Sequence, residues 1–340
     1  MLRAVFTLLR RSDSDAEQEG LRTDGGTAES PSPDSATGVN TLLDRLTTAS
    51  DSEFVGSIPF WGPPAFLVAV FVYGAIGWNT LISLTDWEGL GQPQYASFDL
   101  SMYSRLLADQ TFLTAAKNTV VLLVAFTVVT LALGLVLAIL VDRGIRFENT
   151  FRTIYLLPMS LSFVVTAIFW SWMYNPQIGL INELLRFVGL DALTTAWISN
   201  PKTKLWAVIF ALTWQFSGYA MVVYLAGLQA IPRDQYEAAR IDGASTVRMY
   251  WRVIIPQLRS ATTSAAVVLM VFALKAFDFM FVMFGTQPGP SADILAVMMF
   301  REAFTNSNWA YGSAIAMVLF LMTLGVIGPY LYRQHQRGEL

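Results

Sequence analysis

The sequence predicts an all-α, polytopic membrane protein with six transmembrane helices. Three observations carry this. The chain is 54% hydrophobic and only 14% charged, and its mean hydropathy is positive, which sets it apart from soluble domains. Six apolar runs each reach the roughly 20 residues that a helix needs to cross the hydrocarbon. Lipid holds no water for unpaired backbone groups, so each run is read as a helix.

Taken in order, residues 1–55 form a separate, N-terminal tail. Residues 1–11 are basic and apolar but too short to span a bilayer, and no signal-peptide cleavage pattern follows. Residues 12–52 are rich in Ser, Thr, Gly, Asp and Glu, so disorder is expected. The transmembrane domain is expected over 56–333, with a short C-terminal tail at 334–340. Its apolar runs are 65–84, 118–141, 153–174, 205–228, 262–284 and 310–332. A short surface helix is expected over 101–107. Residues 178–189 read as an amphipathic helix, with Ile181, Leu184, Leu185 and Val188 on one side. It either lies on the membrane surface or meets an external partner.

Basic residues set the orientation. Fifteen Lys and Arg fall in the N-terminal tail, the second-to-third connection, the polar stretch 231–256 with its edges, and the C-terminal tail. Six fall in the alternate connections. Basic segments stay inside. Both termini and the stretch 231–256 are therefore expected on the cytoplasmic side of the plasma membrane.

The stretch 231–256 is a polar island between apolar runs and reads as two short helices with a corner. Pro232 suits the first helical position. Asp234 and Glu237 favour the early turns. Ala238 and Ala239 give a smooth side that another backbone can approach. Gly243 ends the helix as a residue free to adopt positive φ. Ser245 caps a second helix, expected to run to Ile255 and to be ended by Pro256. Arg233, Arg240, Arg248, Arg252 and Arg259 punctuate the island. An ordinary polar connection would need none of this spacing.

Glu237-Ala238-Ala239, three residues, Gly243, nine residues, then Val253-Ile254-Ile255-Pro256 resembles the EAA signature of ATP-binding-cassette (ABC) importer permeases. That pattern is Glu-Ala-Ala, three residues, Gly, nine residues, Ile, any residue, Leu, Pro; Val253 and Ile255 are the departures. The resemblance extends over about 60–332 and is of the carbohydrate type, like maltose and glycerol-3-phosphate permeases. It includes Lys117-Asn118-Thr119 and Phe151-Arg152-Thr153-Ile154-Tyr155-Leu156-Leu157-Pro158. Where that family often has Gly-Gly-Gly-Pro, this chain has Gly285-Thr286-Gln287-Pro288-Gly289-Pro290. The resemblance implies the ABC importer permease fold, with a core of spans two to six and a first span that crosses to a second homologous permease. It implies that Glu237, Ala238, Ala239, Asp242, Gly243 and Pro256 belong to a coupling helix and its flanks, docked on a cytosolic ABC ATPase dimer. An extracytoplasmic solute-binding protein would deliver the solute.

The chain lacks a Gly-x4-Gly-Lys-Ser/Thr phosphate cradle. It is therefore read as a transport subunit and not an enzyme, with no cofactor of its own; ATP and Mg belong to the partner ATPase. With no cysteine and one histidine, His335, thiolate metal sites and a Ser-His-Asp triad have no support. No basic stripe with interleaved aromatics suggests nucleic acid.

Candidate solute contacts lie in two apolar runs. Lys275 and Asp278 are three apart, so on a continuous helix they would share a face. Intramembrane charges either pair and pack or line a pathway. Trp214, Gln215 and Tyr219 lie in the fourth run; aromatic faces suit sugar rings and amides suit hydroxyls, while aromatics at helical spacing also serve as packing. In the resembling family a tyrosine like Tyr219 faces the solute, and a polar residue near the place of Asp278 contributes to the sugar site. The competing functions are an ion-coupled secondary transporter, which would predict inverted repeats, and a non-transporting membrane scaffold.

Overall fold

The computed structural model describes residues 53–93, 95, 98–143 and 148–336. The expected disorder over residues 1–52 and the end of the C-terminal tail, with Arg146 and Arg337, lie outside the described residues. The chain divides into two compact units, Met1–Val68 and Ala69–Leu340. The described part of the first is helix α1 (Glu53–Val68), which carries Pro59, Pro63 and Pro64. Within it the Trp61 indole donates to the Ser57 hydroxyl at 3.2 Å.

The second unit begins with a π-helical turn (Ala69–Tyr73) and α2 (Gly74–Ile82). There follow α3 (Ser101–Ala108), α4 (Gln110–Asp142), α5 (Glu148–Leu156), α6 (Phe163–Met173), α7 (Leu180–Phe187) and α8 (Lys204–Gln229). The polar island supplies α9 (Arg233–Ile241) and α10 (Thr246–Met249). The rest is α11 (Arg259–Leu274), α12 (Phe277–Phe284), α13 (Leu295–Phe300) and α14 (Trp309–Gln336). No strand occurs among the described residues.

Helix α4 starts where the Asp109 carboxylate accepts the Thr111 N–H at 2.8 Å, a side-chain cap for an otherwise orphaned donor. Its 33 residues make a rod of about 50 Å. Helix α8 packs along it, and α11 packs on both. Leu122 and Phe126 of α4 meet Leu212, Phe216 and Ala220 of α8, Leu269 and Ala273 of α11, and Phe279 and Met280 of α12 in one buried cluster. Phe216 is its hub, with ring centroids 5.9 Å from Phe126 and 4.5 Å from Phe272. Helix α14 packs on α2, α11 and α13.

Among the described residues five helices are long and apolar enough to cross a membrane, and six when one bent pair counts as a single span. The bent pair is the third run, expected as one helix over 153–174. It turns by 100° between Asn149–Ser160 and Phe163–Met173. Pro158 falls in the 3₁₀ turn Leu157–Ser160, where its missing N–H costs nothing. Leu161 is extended, and the Ser162 hydroxyl then caps α6 by accepting the Val165 N–H at 3.3 Å. The break frees the Leu161 carbonyl, and the Gln215 amide of α8 donates to it at 2.8 Å.

The fifth span also differs from expectation. Helical structure continues from Thr246 to Leu274, so Pro256 does not end the island's second helix. A π-helical turn (Tyr250–Ile254) and a 3₁₀ turn (Ile255–Leu258) absorb it. A widened turn accommodates the ring and the missing donor, as π-bulges do. The span then stops at Leu274; Lys275 and Ala276 form a turn before α12. Lys275 and Asp278 therefore do not share one continuous helix face.

Gly218 allows α8 to reach the elbow of the third run: a Cβ there would fall on the Tyr155 carbonyl oxygen. Because that neighbour is backbone, it cannot rotate away. Gly218→Ala is expected to lower stability by about 1–3 kcal/mol through overpacking. Gly325→Ala, where a Cβ meets nothing within 4 Å, is the matched control. Thermal unfolding of the two variants in the same detergent checks this; equal melting temperatures would remove the close approach as a constraint.

Candidate functional site

The island folds into helix, corner and helix. Pro232 sits at the N-cap of α9 and not at its first helical position, with ψ at 139°. At the other end Gly243 has φ of +73°. Its N–H donates to the Arg240 carbonyl at 3.0 Å, and the Ala244 N–H to the Ala239 carbonyl at 3.0 Å. These paired bonds are the Schellman closure, and its left-handed residue is one that glycine adopts without a Cβ clash. Ser245 then caps α10, accepting the Arg248 N–H at 3.4 Å.

The two alanines face different ways. Ala239 is buried in a cluster with Leu228, Met249, Tyr250 and Ile254, while Ala238 is exposed. Ala239 therefore seats α9 on its own chain, and only Ala238 presents a small side chain outward. Glu237, Asp242 and Gly243 are exposed. Glu237 has no ion-pair partner among the described residues. Three apolar side chains that motif reading passed over surround the corner: Ile241 is 85% exposed, Val247 79% and Trp251 72%. Their signal in the sequence was large hydrophobics inside a polar stretch. On α9 itself, Tyr236 has its hydroxyl proton held more tightly than usual, its pKa pushed up to about 12 by burial, then by Asp142 and Tyr250.

The solute candidates are spread over the fold. Trp214 stacks on Phe169 at 5.7 Å and meets Trp170 edge-on at 5.6 Å, on the wall of a groove of about 640 Å³ shared with Tyr155, Leu161 and Ser217. Tyr219, five residues on, is half-buried against the main cluster. Gln215 is 1% exposed; its N–H is committed to Leu161 and its amide oxygen has no partner. In this conformation Gln215 staples the elbow. Lys275 and Asp278 are exposed at the break between α11 and α12, and no ion pair joins them.

At the opposite end of α4 lies a polar lock that sequence reading did not single out as one. The Asn118 amide donates to the carbonyls of Pro290 and Asp293 at 2.8 and 2.9 Å. The Thr119 hydroxyl accepts the Leu295 N–H at 2.9 Å. Asp293, 5% exposed, pairs with Arg301 at 2.7 Å. Burial raises its carboxyl above the ordinary range, and Arg301 only partly offsets this. The connection 285–294 is thereby bolted to α4. The resemblance had marked Lys117-Asn118-Thr119 as a pattern; its physical job appears only once residues some 170 positions apart meet.

Similarity to known proteins agrees with this architecture. Residues 130–338 match the family of binding-protein-dependent transport system inner membrane components. The chain is 55% identical over 297 residues to the xylose/arabinose import permease protein XacH of Haloferax volcanii, covering 87% of this chain and 93% of that one. It is 51% identical over 282 residues to a probable ABC transporter permease protein of Pyrococcus horikoshii, covering 83% and 96%. Its fold is similar to that of a chain in the crystal structure of a bacterial alginate ABC transporter in complex with its alginate pentasaccharide-bound periplasmic protein. The TM-score is 0.68 at 20% identity, over 88% of this chain and 96% of that one. A helical chain with several membrane-crossing segments, a helix–corner–helix island of EAA spacing and this match over most of its length belongs to the family of binding-protein-dependent transport inner membrane components, the permease subunits of ABC importers.

Proposed function

We propose that this permease carries a sugar or sugar derivative across the plasma membrane, by alternating access driven by a separate ATPase. The observation that carries the coupling half is the corner at Gly243. It presents an unpaired Glu237 carboxylate and three exposed apolar side chains, a surface that a water-facing loop would not keep bare. A cytosolic ATPase dimer, holding ATP and Mg, is the partner that such a surface fits. The sugar half rests on the relative at 55% identity, named for xylose and arabinose.

The basic asymmetry supports a cytoplasmic location for both termini and the island. A second permease is supported by the first run: Val70, Phe71, Tyr73 and Trp78 are all exposed, as expected for a span that packs on another chain. A solute-binding protein would meet the opposite end. Lys275 and Asp278 at the helix break, with Trp214 and Tyr219, are the proposed solute contacts, because polar groups at a broken helix in lipid belong where a pathway hydrates them.

Three outcomes test this. Cysteines introduced singly at Ser199 and Ser245, both exposed, should react with an impermeant thiol reagent in intact cells only at Ser199; labelling at Ser245 would reverse the orientation. Asp278→Ala and Tyr219→Ala are each expected to raise the apparent KM for solute by roughly three- to tenfold, as loss of a hydrogen bond does. The complex should still assemble, as judged by its elution on size exclusion; loss of assembly would show a packing role instead. Gly243→Asp adds a side chain at φ of +73° and a charge at the corner. It is expected to abolish co-purification of the ATPase or solute-stimulated hydrolysis while leaving the membrane level of the permease unchanged. Normal ATPase binding together with normal transport would sink the coupling assignment.

A further inference from the structure

The end of α4 and one side of α9, flanking the buried Ala239, border an open cavity of about 780 Å³. Arg143 enters it from the C-cap of α4, and Arg233 and Arg240 from α9. These two are seven residues apart and so lie on one helix face, with Tyr236 between them. The Arg143 guanidinium stands over the Tyr250 ring at 5.8 Å. Among the described residues none of the three guanidiniums has a carboxylate partner. The Tyr236 hydroxyl on the same wall is buried with no hydrogen-bond partner. Two acids also line the cavity: Asp142, which is engaged within the chain, and Glu237. The balance is one positive charge.

We propose that this cavity is a binding site for a phosphate group, held between Arg143 on the end of a membrane span and Arg233 and Arg240 on the island helix. Forked guanidiniums approaching from two elements match the tetrahedral oxygens of phosphate. The cavity begins where the apolar part of α4 ends, the depth at which lipid headgroups lie. Basic pockets at span ends on the cytoplasmic side take such groups. Its cytoplasmic placement rests on the orientation proposed above; the binding itself does not. A bound phosphate would tie α9 to the end of α4, two elements otherwise joined through the apolar contacts of Leu228, Met249 and Tyr250.

The test is native mass spectrometry of the full-length permease in a neutral detergent. It is titrated separately with phosphatidylglycerol, phosphatidylcholine and inorganic phosphate. Phosphatidylglycerol is expected to bind in preference to phosphatidylcholine. The double variant Arg143→Gln/Arg240→Gln should weaken that binding by roughly tenfold or more, while Arg259→Gln, outside the cavity, should not. Arg143→Lys/Arg240→Lys keeps the charge and should retain part of the binding, which separates a lost site from a misfolded one. Inorganic phosphate that displaces the lipid marks a site open to free phosphate; phosphate without effect marks a headgroup site. Equal binding of the lipid by wild type and the Gln double variant, or no preference over phosphatidylcholine, overturns the proposal. No transport or hydrolysis is measured, so failure here leaves the importer reading standing, and failure of that reading leaves the binding result standing.

Discussion

In hydrocarbon an unpaired amide or carbonyl has no water to fall back on, so a helix can break there only where something else supplies the missing bond. This constraint organises the chain. The elbow of the third run exposes the Leu161 carbonyl, and Gln215 reaches across from α8 to cover it. The connection between the fifth and sixth spans exposes the carbonyls of Pro290 and Asp293, and Asn118 covers both. The island helix closes its own end through the Gly243 corner. These three segments are thus tied to α4 or α8 or close on themselves, and those two helices are the ones that pack along each other.

Such a scaffold combines long rods with a few joints where the regular α-helix is interrupted. The joints lie at the 100° elbow, at the turn Lys275–Ala276 and at the widened turns around Pro256. Two of the three carry side chains that the solute reading needs, Trp214 beside the elbow and Lys275 with Asp278 at the turn. The third connects the island directly to α11, because Thr246–Leu274 is continuous helical structure. A push on α9 and α10 can therefore reach the centre of the fold along a helix and need not pass through a loop.

The island shows why a motif and a surface differ. Its acid, alanines and glycine are spaced so that Ala239 turns inward while Glu237, Ala238 and Gly243 remain outward. Anchoring on the chain's own core and exposure at the surface are divided between adjacent residues. Ile241, Val247 and Trp251 add apolar area around the corner; burial of such side chains is what makes association favourable.

Local chemistry was legible in the residues themselves. Run length and the absence of charge determined where helices cross, because the bilayer imposes one length. Glycine, serine and spacing determined the corner at Gly243 and the cap at Ser245, because both are bonds between residues close in sequence. The tertiary structure alone decided what depends on distant neighbours. It bent the third run, carried the fifth span through Pro256 and separated Lys275 from Asp278 by a turn. It also gave the solute candidate Gln215 the Leu161 carbonyl as a partner, and made Asn118 a bolt for a connection some 170 residues away. In each case the sequence shows a polar side chain or a proline in an apolar run, and only packing reveals which distant backbone group it satisfies or which altered turn absorbs it.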